Sequence, residues 1–372
     1  MKFFDLTKQN RKIKSEIERT ISRVVGSGVY INGDEVKKFE DELASFCGTK
    51  YAISCNSGTD ALLLSLKALG IGVGDEVITS PFSFIATAST IILAGAKPVF
   101  VDIDPKTLNL DPDLIEKSIT KKTKAIIAVH IFGRMCPMDR ICQIARKHKL
   151  KIIEDSAQSI GSAYKGKKSG AWGDVGCFSF FPTKNLGCFG DGGAVVTDHK
   201  ELNEKVRQLK NHGSDAKNKY LHLEIGTNSR LDAIQAAVLS VKLKYLGSYN
   251  CARQKTAEGF NKSFRNVGDL IVPEFSESEH TFHQYTMRTK NRDALIRYLS
   301  DKGVPTMVYY PIPLHLQPAL GSLGYKKGDF PCCEQACQEV ISLPIWPELS
   351  TQDKNYIVKS VINYFEDYSL SK

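Results

Sequence analysis

Between residues 50 and 200, short apolar runs alternate with longer helix-like segments. We predict strands at 51–54, 76–79, 98–101, 125–129, 151–154, 176–181 and 194–197, and helices at 60–69, 85–94, 112–119 and 138–149. Strands that are joined by helices form right-handed crossovers and a mostly parallel sheet that is covered on both faces. The apolar runs are nearly continuous, as expected for strands buried on both sides. The sequence therefore predicts an α/β fold.

The remainder of the chain indicates a second, smaller unit. A helical pattern at 229–246 is followed by Gly247 and then by a second helical stretch. A chain of 372 residues is long enough for two domains. We therefore expect a large domain over residues 1–246 and a smaller C-terminal α/β domain over residues 247–372.

The composition argues against a disordered, a collagen-like or a coiled-coil protein. Hydrophobic residues make up 42% of the chain and charged residues 24%, which are ordinary values for a globular protein. The net charge of +9 suits a nucleic acid, an anionic membrane or a phosphorylated small molecule, but it also suits a plain basic surface. Neither a helix-turn-helix nor an Arg-rich arm is present, which argues against nucleic acid. The ten cysteines form no C-x-x-C, so we expect reduced thiols, a cytoplasmic protein and no metal site.

Residues 77–96 carry no charge and are long enough to cross a membrane. They also include Pro81 and six hydroxyl side chains, which are too polar for a segment that faces lipid. A buried strand, a turn and a buried helix fit the segment better. The N-terminus lacks an apolar stretch of the kind found in signal peptides, so we expect neither a signal peptide nor a membrane partner.

Ligands of doubly wound sheets bind beyond the carboxyl ends of the strands. Ser57, Gly58 and Thr59 follow the first predicted strand and precede a helix. Free N–H groups at such a helix start bind anions, although the same three residues also suit an ordinary helix cap. No G-x-G-x-x-G follows the strand, and no P-loop motif is present. A dinucleotide or a nucleoside triphosphate is therefore not indicated.

Asp155 ends a predicted strand, and its carboxylate would be partly buried there. A buried carboxylate needs a cationic partner, and a protonated pyridine nitrogen is one. Gln158 could contact the same ligand. A helix cap or a structural salt bridge would explain this segment equally well.

Lys184 lies between an aromatic run at 178–181 and a Gly-rich turn at 187–193. In a dry pocket the pKa of a lysine falls, and its amine becomes a nucleophile toward aldehydes. Ser179 could help to hold a phosphate nearby. Taken alone, Lys184 would more often be one more surface lysine.

Together these features supply the parts of a pyridoxal-phosphate site: a phosphate-binding turn, an aromatic face, a counter-ion and a reactive lysine. The chain also resembles the DegT/DnrJ sugar aminotransferases, which are pyridoxal-phosphate enzymes of fold type I, the aspartate-aminotransferase fold. The resemblance extends over nearly the whole chain. The segments that carry it are 4–6, 56–62, 74–78, 154–158, 180–185, 190–193 and 226–231.

The resemblance implies a role for each residue around the cofactor. Lys184 would bind pyridoxal 5'-phosphate covalently, Asp155 would pair with its ring nitrogen, and Gln158 would contact its ring hydroxyl. Phe84 would stack on the ring, with Phe82 as the alternative. The phosphate would be held by residues of two turns and of a partner subunit, namely Gly58, Thr59, Ser179 and Asn228 of the partner subunit.

The family is typically dimeric with sites at the interface, so the resemblance implies a homodimer with shared active sites. Arg230 would lie near the substrate of the neighbouring site. Tyr309, Tyr310 and His315 are the remaining substrate-binding candidates, because segment 308–315 is similar to members that aminate carbon 3 of a keto nucleotide sugar. The greatest similarity is to the UDP-2-acetamido-3-oxo-glucuronate aminotransferase subgroup of lipopolysaccharide and O-antigen synthesis. Tyr309 stands where this subgroup often has His, and Phe132 stands where the wider family often has Tyr.

The expected activity is transfer of an amino group from L-glutamate to a UDP- or dTDP-linked keto sugar. Amination at carbon 4 is the main alternative. A sugar dehydratase branch of the same family replaces the lysine with histidine, so Lys184 argues against that activity. A non-catalytic regulator of the same fold would not need Lys184, Asp155, Gln158 and Thr59 together.

Overall fold

The computed structural model describes residues 1–274 and 278–370, and its centre is a seven-stranded sheet. The strands are β1 (Tyr51–Cys55), β2 (Glu76–Thr79), β3 (Lys97–Phe100), β4 (Thr123–Val129), β5 (Lys151–Asp155), β6 (Ala163–Tyr164), β7 (Lys167–Lys168), β8 (Val175–Ser179), β9 (Gly193–Thr197), β10 (Ser278–Glu279), β11 (Tyr285–Arg288) and β12 (Val340–Leu343). The order in the large sheet is β1-β9-β8-β5-β4-β2-β3. Within it β9 alone runs against its two neighbours, which confirms the predicted mostly parallel sheet.

Helices cover both faces of this sheet. The helices of the chain, which include those of the C-terminal part, are α1 (Thr7–Lys12), α2 (Lys14–Ser27), α3 (Asp34–Cys47), α4 (Gly58–Ala68), α5 (Ile85–Leu93), α6 (Pro112–Ile115), α7 (Met138–His148), α8 (Lys200–Leu209), α9 (Ala233–Leu243), α10 (Leu246–Phe264), α11 (Arg292–Asp301), α12 (Pro331–Glu339) and α13 (Thr351–Leu370). Residues 125–129 of β4 are apolar, and successive side chains point to opposite faces: Ala125 and Ile127 pack with α4 and α5, whereas Ile126 and Ala128 pack with α7. The fold is therefore the predicted α/β class.

The uncharged segment 77–96 forms β2, a turn and α5, as predicted. Within the described parts of the chain, no helix has both the length and the apolar character needed to span a membrane. The ten cysteines are free thiols, and most are buried.

The helix predicted at 229–246 is wrong at its start. Asp232 pairs with Ile31 in an isolated β-bridge, and its backbone is extended there. Residues 229–232 therefore remain outside the helix, and α9 begins only at Ala233. A contact between distant parts of the chain has overridden the helical periodicity.

A second core lies in the C-terminal part of the chain. There β11 and β12 pair in antiparallel fashion, and Phe260, Tyr285 and Trp346 pack together with residues of α11 and α13. Residues 314–340 pack against the large sheet instead. The domain boundary predicted between residues 246 and 247 coincides with the first turn of α10 and stays a prediction.

Candidate active site

A cavity of about 400 Å³ opens beyond the carboxyl ends of β4, β5 and β8, at the starts of α4 and α5. Most of the residues singled out from the sequence line it. They are Gly58, Thr59, Phe84, Asp155, Gln158, Ser179, Lys184, Tyr309 and Tyr310. The parallel sheet thus collects residues from distant parts of the chain at one edge, as its topology requires.

The turn before α4 forms one end of the cavity. Ser57 caps the helix, because its Oγ accepts a hydrogen bond of 3.1 Å from the Asp60 N–H. A Cβ placed on Gly58 would lie 2.7 Å from the Cβ of Ser179, so the turn and the end of β8 meet only because residue 58 is glycine. The N–H groups of the first turn and the helix dipole favour an anion here, with the Ser179 hydroxyl beside them.

Ser229 joins this turn to the segment that carries Asn228 and Arg230. Its buried hydroxyl donates to Asp60 Oδ2 at 2.7 Å and accepts from the Asn56 N–H at 3.3 Å. Because both partners belong to the phosphate-binding turn or its helix, segment 228–230 is fixed to that turn.

Asp155 is buried at the end of β5. Its Oδ2 accepts a hydrogen bond of 2.8 Å from Thr87 Oγ1, and its Oδ1 accepts one of 3.3 Å from the Ala157 N–H. Burial raises the pKa of this carboxyl, while these hydrogen bonds and the nearby Lys184 ammonium oppose the rise. A cation placed beside Asp155 would keep it ionised.

Lys184 stands on the wall of the same cavity. Burial lowers the pKa of its amine to about 8, although the Asp155 carboxylate acts in the opposite direction. The next residue, Asn185, is buried and donates to Asn250 Oδ1 at 2.8 Å and to the Thr281 carbonyl at 3.0 Å. These bonds fix the backbone that presents Lys184, whose amine is a nucleophile near neutral pH.

Gln158 is held from two sides. Its Oε1 accepts a hydrogen bond of 2.7 Å from the Phe132 N–H, and its Nε2 donates to the Tyr310 hydroxyl at 3.0 Å. Phe132, where the wider family often has Tyr, is buried in the core with its ring against Phe82. The departure from the family pattern at residue 132 therefore lies behind the cavity wall.

Phe84 and Phe82 differ in position. Phe84 precedes α5, lines the cavity and is 55% exposed, so its ring face is open to a ligand. Phe82 is only 1% exposed and packs edge-on against Tyr310. Phe84 is therefore better placed than Phe82 to stack on a ring, and that role stays a prediction.

Three of the singled-out residues do not line the cavity of their own chain. His315 is buried, with Nε2 hydrogen-bonded to Glu334 at 3.0 Å and its ring against Phe330. Asn228 is exposed, and Arg230 has a buried Nε without a hydrogen-bond partner among the described residues. The structure therefore does not bring His315 to the site, and it directs Asn228 and Arg230 elsewhere.

Several residues that line the cavity were missed in the sequence, including Ser83, Thr87, His130, His283 and Gln284. His130 accepts a hydrogen bond from the Cys136 N–H through Nδ1, so its Nε2 carries the proton that goes to Glu154 at 2.9 Å. Burial, together with the nearby Lys184, lowers the pKa of His283 well below its usual range. No local motif marks these positions, although His130 directly follows a predicted strand.

The residues fit pyridoxal phosphate at each point that can be tested. The helix start suits the phosphate, the exposed ring of Phe84 suits the cofactor ring, and the buried Asp155 suits a protonated ring nitrogen. Lys184 supplies an amine with a lowered pKa within the same cavity. Fold and site together define a pyridoxal-phosphate-dependent aminotransferase.

Comparison with known proteins supports the assignment to the pyridoxal-phosphate-dependent aminotransferases. The DegT/DnrJ/EryC1/StrS aminotransferase family model matches residues 11–362, so the chain belongs to that family. It is 48% identical to the pleiotropic regulatory protein of Geobacillus stearothermophilus, over 98% of each protein. It is 47% identical to the UDP-2-acetamido-2-deoxy-3-oxo-D-glucuronate aminotransferase of Pseudomonas aeruginosa, over 98% of this chain and 100% of that protein.

Solved structures agree in fold and cofactor. The crystal structure of S. venezuelae DesV superposes with a TM-score of 0.96 at 40% identity, covering 98% of each chain. NtdA of Bacillus subtilis, solved with the bound cofactor PMP, has a TM-score of 0.90 at 34% identity, covering 95% of this chain and 82% of that one. The fold is therefore fold type I, and the cofactor is pyridoxal 5'-phosphate.

Gly58→Ala tests the phosphate end of the site. The new methyl group would overlap the Cβ of Ser179, so the first turn of α4 must move away from β8. We expect the dissociation constant of pyridoxal phosphate to rise about tenfold or more, the equivalent of ~1.4 kcal/mol. Gly259→Ala, on a helix with open space around its Cβ, is the control and should bind the cofactor as the parent does. Equal cofactor affinity in both variants would contradict the assignment.

Proposed function

We propose that the protein transfers an amino group from L-glutamate to carbon 3 of a keto sugar linked to UDP or dTDP. The observation that carries this proposal is the joint presence in one cavity of Lys184, Asp155 and the anion-binding turn before α4. The 47% identity to an aminotransferase named for a UDP-linked 3-oxo sugar supports the substrate class. The net charge of +9 suits a diphosphate ligand but does not select one.

Each residue has a separate task in this reaction. When bound, the cofactor supplies an aldehyde that captures amines and a ring that withdraws electrons from the adjoining carbon. The first turn of α4 and Ser179 bind its phosphate, and Phe84 orients its ring. Asp155 keeps the ring nitrogen protonated, and Lys184 carries a proton to and from the carbon that bears the amine. Glutamate leaves as its 2-oxo acid and the ketone leaves as an amine, so no outside oxidant is needed.

A regulatory function without turnover is the second candidate, because one relative at 48% identity is named a regulatory protein. The presence of Lys184, Asp155 and Gln158 in one cavity argues for catalysis. The dehydratase alternative is disfavoured by Lys184, since that branch has histidine there.

Single-turnover assays would test the substrate. Protein loaded with pyridoxamine phosphate is mixed with UDP- and dTDP-linked sugars that carry a ketone at carbon 3 or at carbon 4. We expect the 3-keto sugars to restore the pyridoxal absorbance and to yield an amino sugar by mass spectrometry. Lys184→Ala, loaded in the same way, is the control that should not react. Amination of the 4-keto sugars alone would replace the proposal, and the absence of any amination would favour the regulatory function.

We further propose a homodimer whose two sites are shared. Asn228 and Arg230 do not line the cavity of their own chain, and the side chain of Asn228 is exposed. Exposed apolar side chains, among them Tyr30, Ile31 and Ile225, offer surface for a second copy. A guanidinium group suits the paired oxygens of a phosphate or carboxylate on the neighbour's substrate.

Mixing two inactive variants tests the shared site. Lys184→Ala subunits and Arg230→Ala subunits should each be nearly inactive alone. In a mixed dimer, one site carries both changes and the other carries neither. About a quarter of the parent activity should therefore return after 1:1 mixing with random reassortment. Absence of recovery, with subunit exchange demonstrated by mass spectrometry, would mean that Arg230 serves its own subunit.

The location and biological setting are also proposals. Ten free thiols suit a reducing compartment, so we propose the cytoplasm. The similarity to the 3-oxo-glucuronate enzyme favours a product that enters lipopolysaccharide, O-antigen or related glycan synthesis.

A further inference from the structure

Three buried side chains form a hydrogen-bonded row beside the cavity. Ser83 Oγ lies 2.7 Å from Thr87 Oγ1, and Thr87 Oγ1 lies 2.8 Å from Asp155 Oδ2. All three residues are buried and line the cavity. Two of the hydroxyl groups that make segment 77–96 too polar for a membrane thus belong to the site.

The direction of the hydrogen bonds in this row follows from the number of protons. An ionised carboxylate can only accept, so Thr87 donates its single hydroxyl proton to Asp155. The Thr87 oxygen must then accept in its bond with Ser83, and Ser83 is the donor. Each hydroxyl therefore points its proton toward the carboxylate.

Asp155 depends on this row for its charge. Burial disfavours the ionised form, and the hydrogen bond that the carboxylate accepts from the Ala157 N–H is longer, at 3.3 Å. The titratable groups around Asp155 are Lys184 from the loop after β8, His130 after β4, Tyr310, and Cys177 on β8. The amine of Lys184 must be uncharged to act as a nucleophile, so its charge cannot support Asp155 at that stage. The Thr87 hydroxyl stays a donor throughout.

We propose that Thr87, oriented by Ser83, is a positioning residue that keeps Asp155 ionised and fixes the rotation of its carboxylate. Through Asp155 it controls the charge on the cofactor ring nitrogen. This inference rests on the role of Asp155 in the proposed function. Phe84 precedes α5, and Thr87 lies in the first turn of that helix. The start of α5 would therefore both stack on the cofactor ring, through Phe84, and maintain the charge of Asp155, through Thr87.

Thr87→Val removes the hydroxyl and keeps the shape of the side chain. Thr90→Val is a matched control, since Thr90 is buried on the same helix and its Oγ1 donates to the Ala86 carbonyl at 2.8 Å. In the apoenzyme with ¹³C-labelled aspartate, we expect Thr87→Val to raise the pKa of Asp155 by about one to two units, the effect of losing one hydrogen bond to a charged group. Thr90→Val should leave it unchanged. The ¹³C signal that disappears in Asp155→Asn is the signal of Asp155.

Activity provides a second readout. In the holoenzyme, Thr87→Val should lower kcat by about tenfold with KM for the amino donor nearly unchanged, because ground-state binding does not use the ring charge. The acidic limb of the kcat–pH profile should move to higher pH, in the direction of the raised pKa. Thr87→Ser restores the hydroxyl and should return both quantities toward the parent, while Ser83→Ala should produce a smaller shift of the same sign.

An unchanged pKa of Asp155 in Thr87→Val, or equal shifts in Thr87→Val and Thr90→Val, would overturn the proposal. Should Thr87→Val fail to fold, an unshifted pKa in Ser83→Ala would overturn it instead. Failure of the proposed function can be distinguished from failure of the proposal for Thr87. Normal turnover in Asp155→Asn would remove the role of Asp155 while leaving its titration in the apoenzyme dependent on Thr87.

Discussion

Lys184→Ala should abolish amino transfer, with a fall in turnover of about 10⁴-fold or more, while the protein stays folded and retains cofactor. The side chain lines the cavity, and among the described residues around that cavity it is the one lysine, so no neighbouring amine replaces it. The phosphate contacts of α4 are independent of residue 184, so binding persists without covalent attachment. Turnover assays together with thermal unfolding would check both parts. Near-normal turnover would contradict the role of Lys184.

Borohydride labelling tests the same residue without substitution. The parent protein should be yellow, and reduction should attach the cofactor to the peptide that contains Lys184. Lys242 is the internal control, because burial lowers its pKa to about 8 as well, yet its amine donates to the Gly187 carbonyl and does not line the cavity. When pyridoxal phosphate is added to the apoenzyme, the rate of attachment should rise about tenfold per pH unit up to the pKa of Lys184 and then level off. Labelling of Lys242 instead would refute the assignment.

Asp155→Asn should slow turnover by a factor on the order of 10² to 10⁴ while cofactor binding is partly kept. A neutral amide cannot stabilise a protonated ring nitrogen, so the ring withdraws fewer electrons when the proton leaves the substrate carbon. The absorbance of the bound cofactor should change with it. Stopped-flow measurement of each half-reaction would show the loss in the proton-transfer step.

Asp174→Asn is the control for this substitution. Asp174 accepts from the Ile152 N–H at 2.9 Å near the opposite end of β5, outside the cavity, and an asparagine can keep that bond. Its turnover should match that of the parent. Equal turnover in Asp155→Asn and Asp174→Asn would show that the ring nitrogen does not depend on Asp155.

Local pattern was sufficient to predict most of the fold. The strands of the large sheet are apolar on both faces, so β4 and β5 can be identified from composition alone. The start of α9 could not be predicted, because the bridge between Ile31 and Asp232 joins residues that are far apart in sequence. Likewise β8 ends at Ser179 rather than at Phe181, where the Phe181 carbonyl accepts instead from the Lys184 N–H in a turn.

The residues of the site also fall into two groups, those that sequence motifs predict and those that only the folded chain reveals. Lys184, Asp155 and Gln158 lie in motifs that follow predicted strands, and the structure collects them in one cavity. Thr87 was missed because its partner Asp155 is 68 residues away, and only the folded sheet brings the two together. His315 was selected from a motif, but its ring is held by Glu334 and Phe330, which sequence spacing does not reveal.

If the proposed homodimer forms, the Ser229 hydroxyl would connect subunit association with cofactor binding. It bonds to Asp60 and Asn56, so the segment that carries Asn228 and Arg230 and the turn before α4 share one joint. In the proposed homodimer, ordering that joint by either event lowers the entropy that the other must remove. Such linkage is reciprocal: the cofactor would tighten the dimer by the same factor by which dimerisation tightens the cofactor. Dilution would then release both together, and the enzyme would hold its prosthetic group only while it is paired.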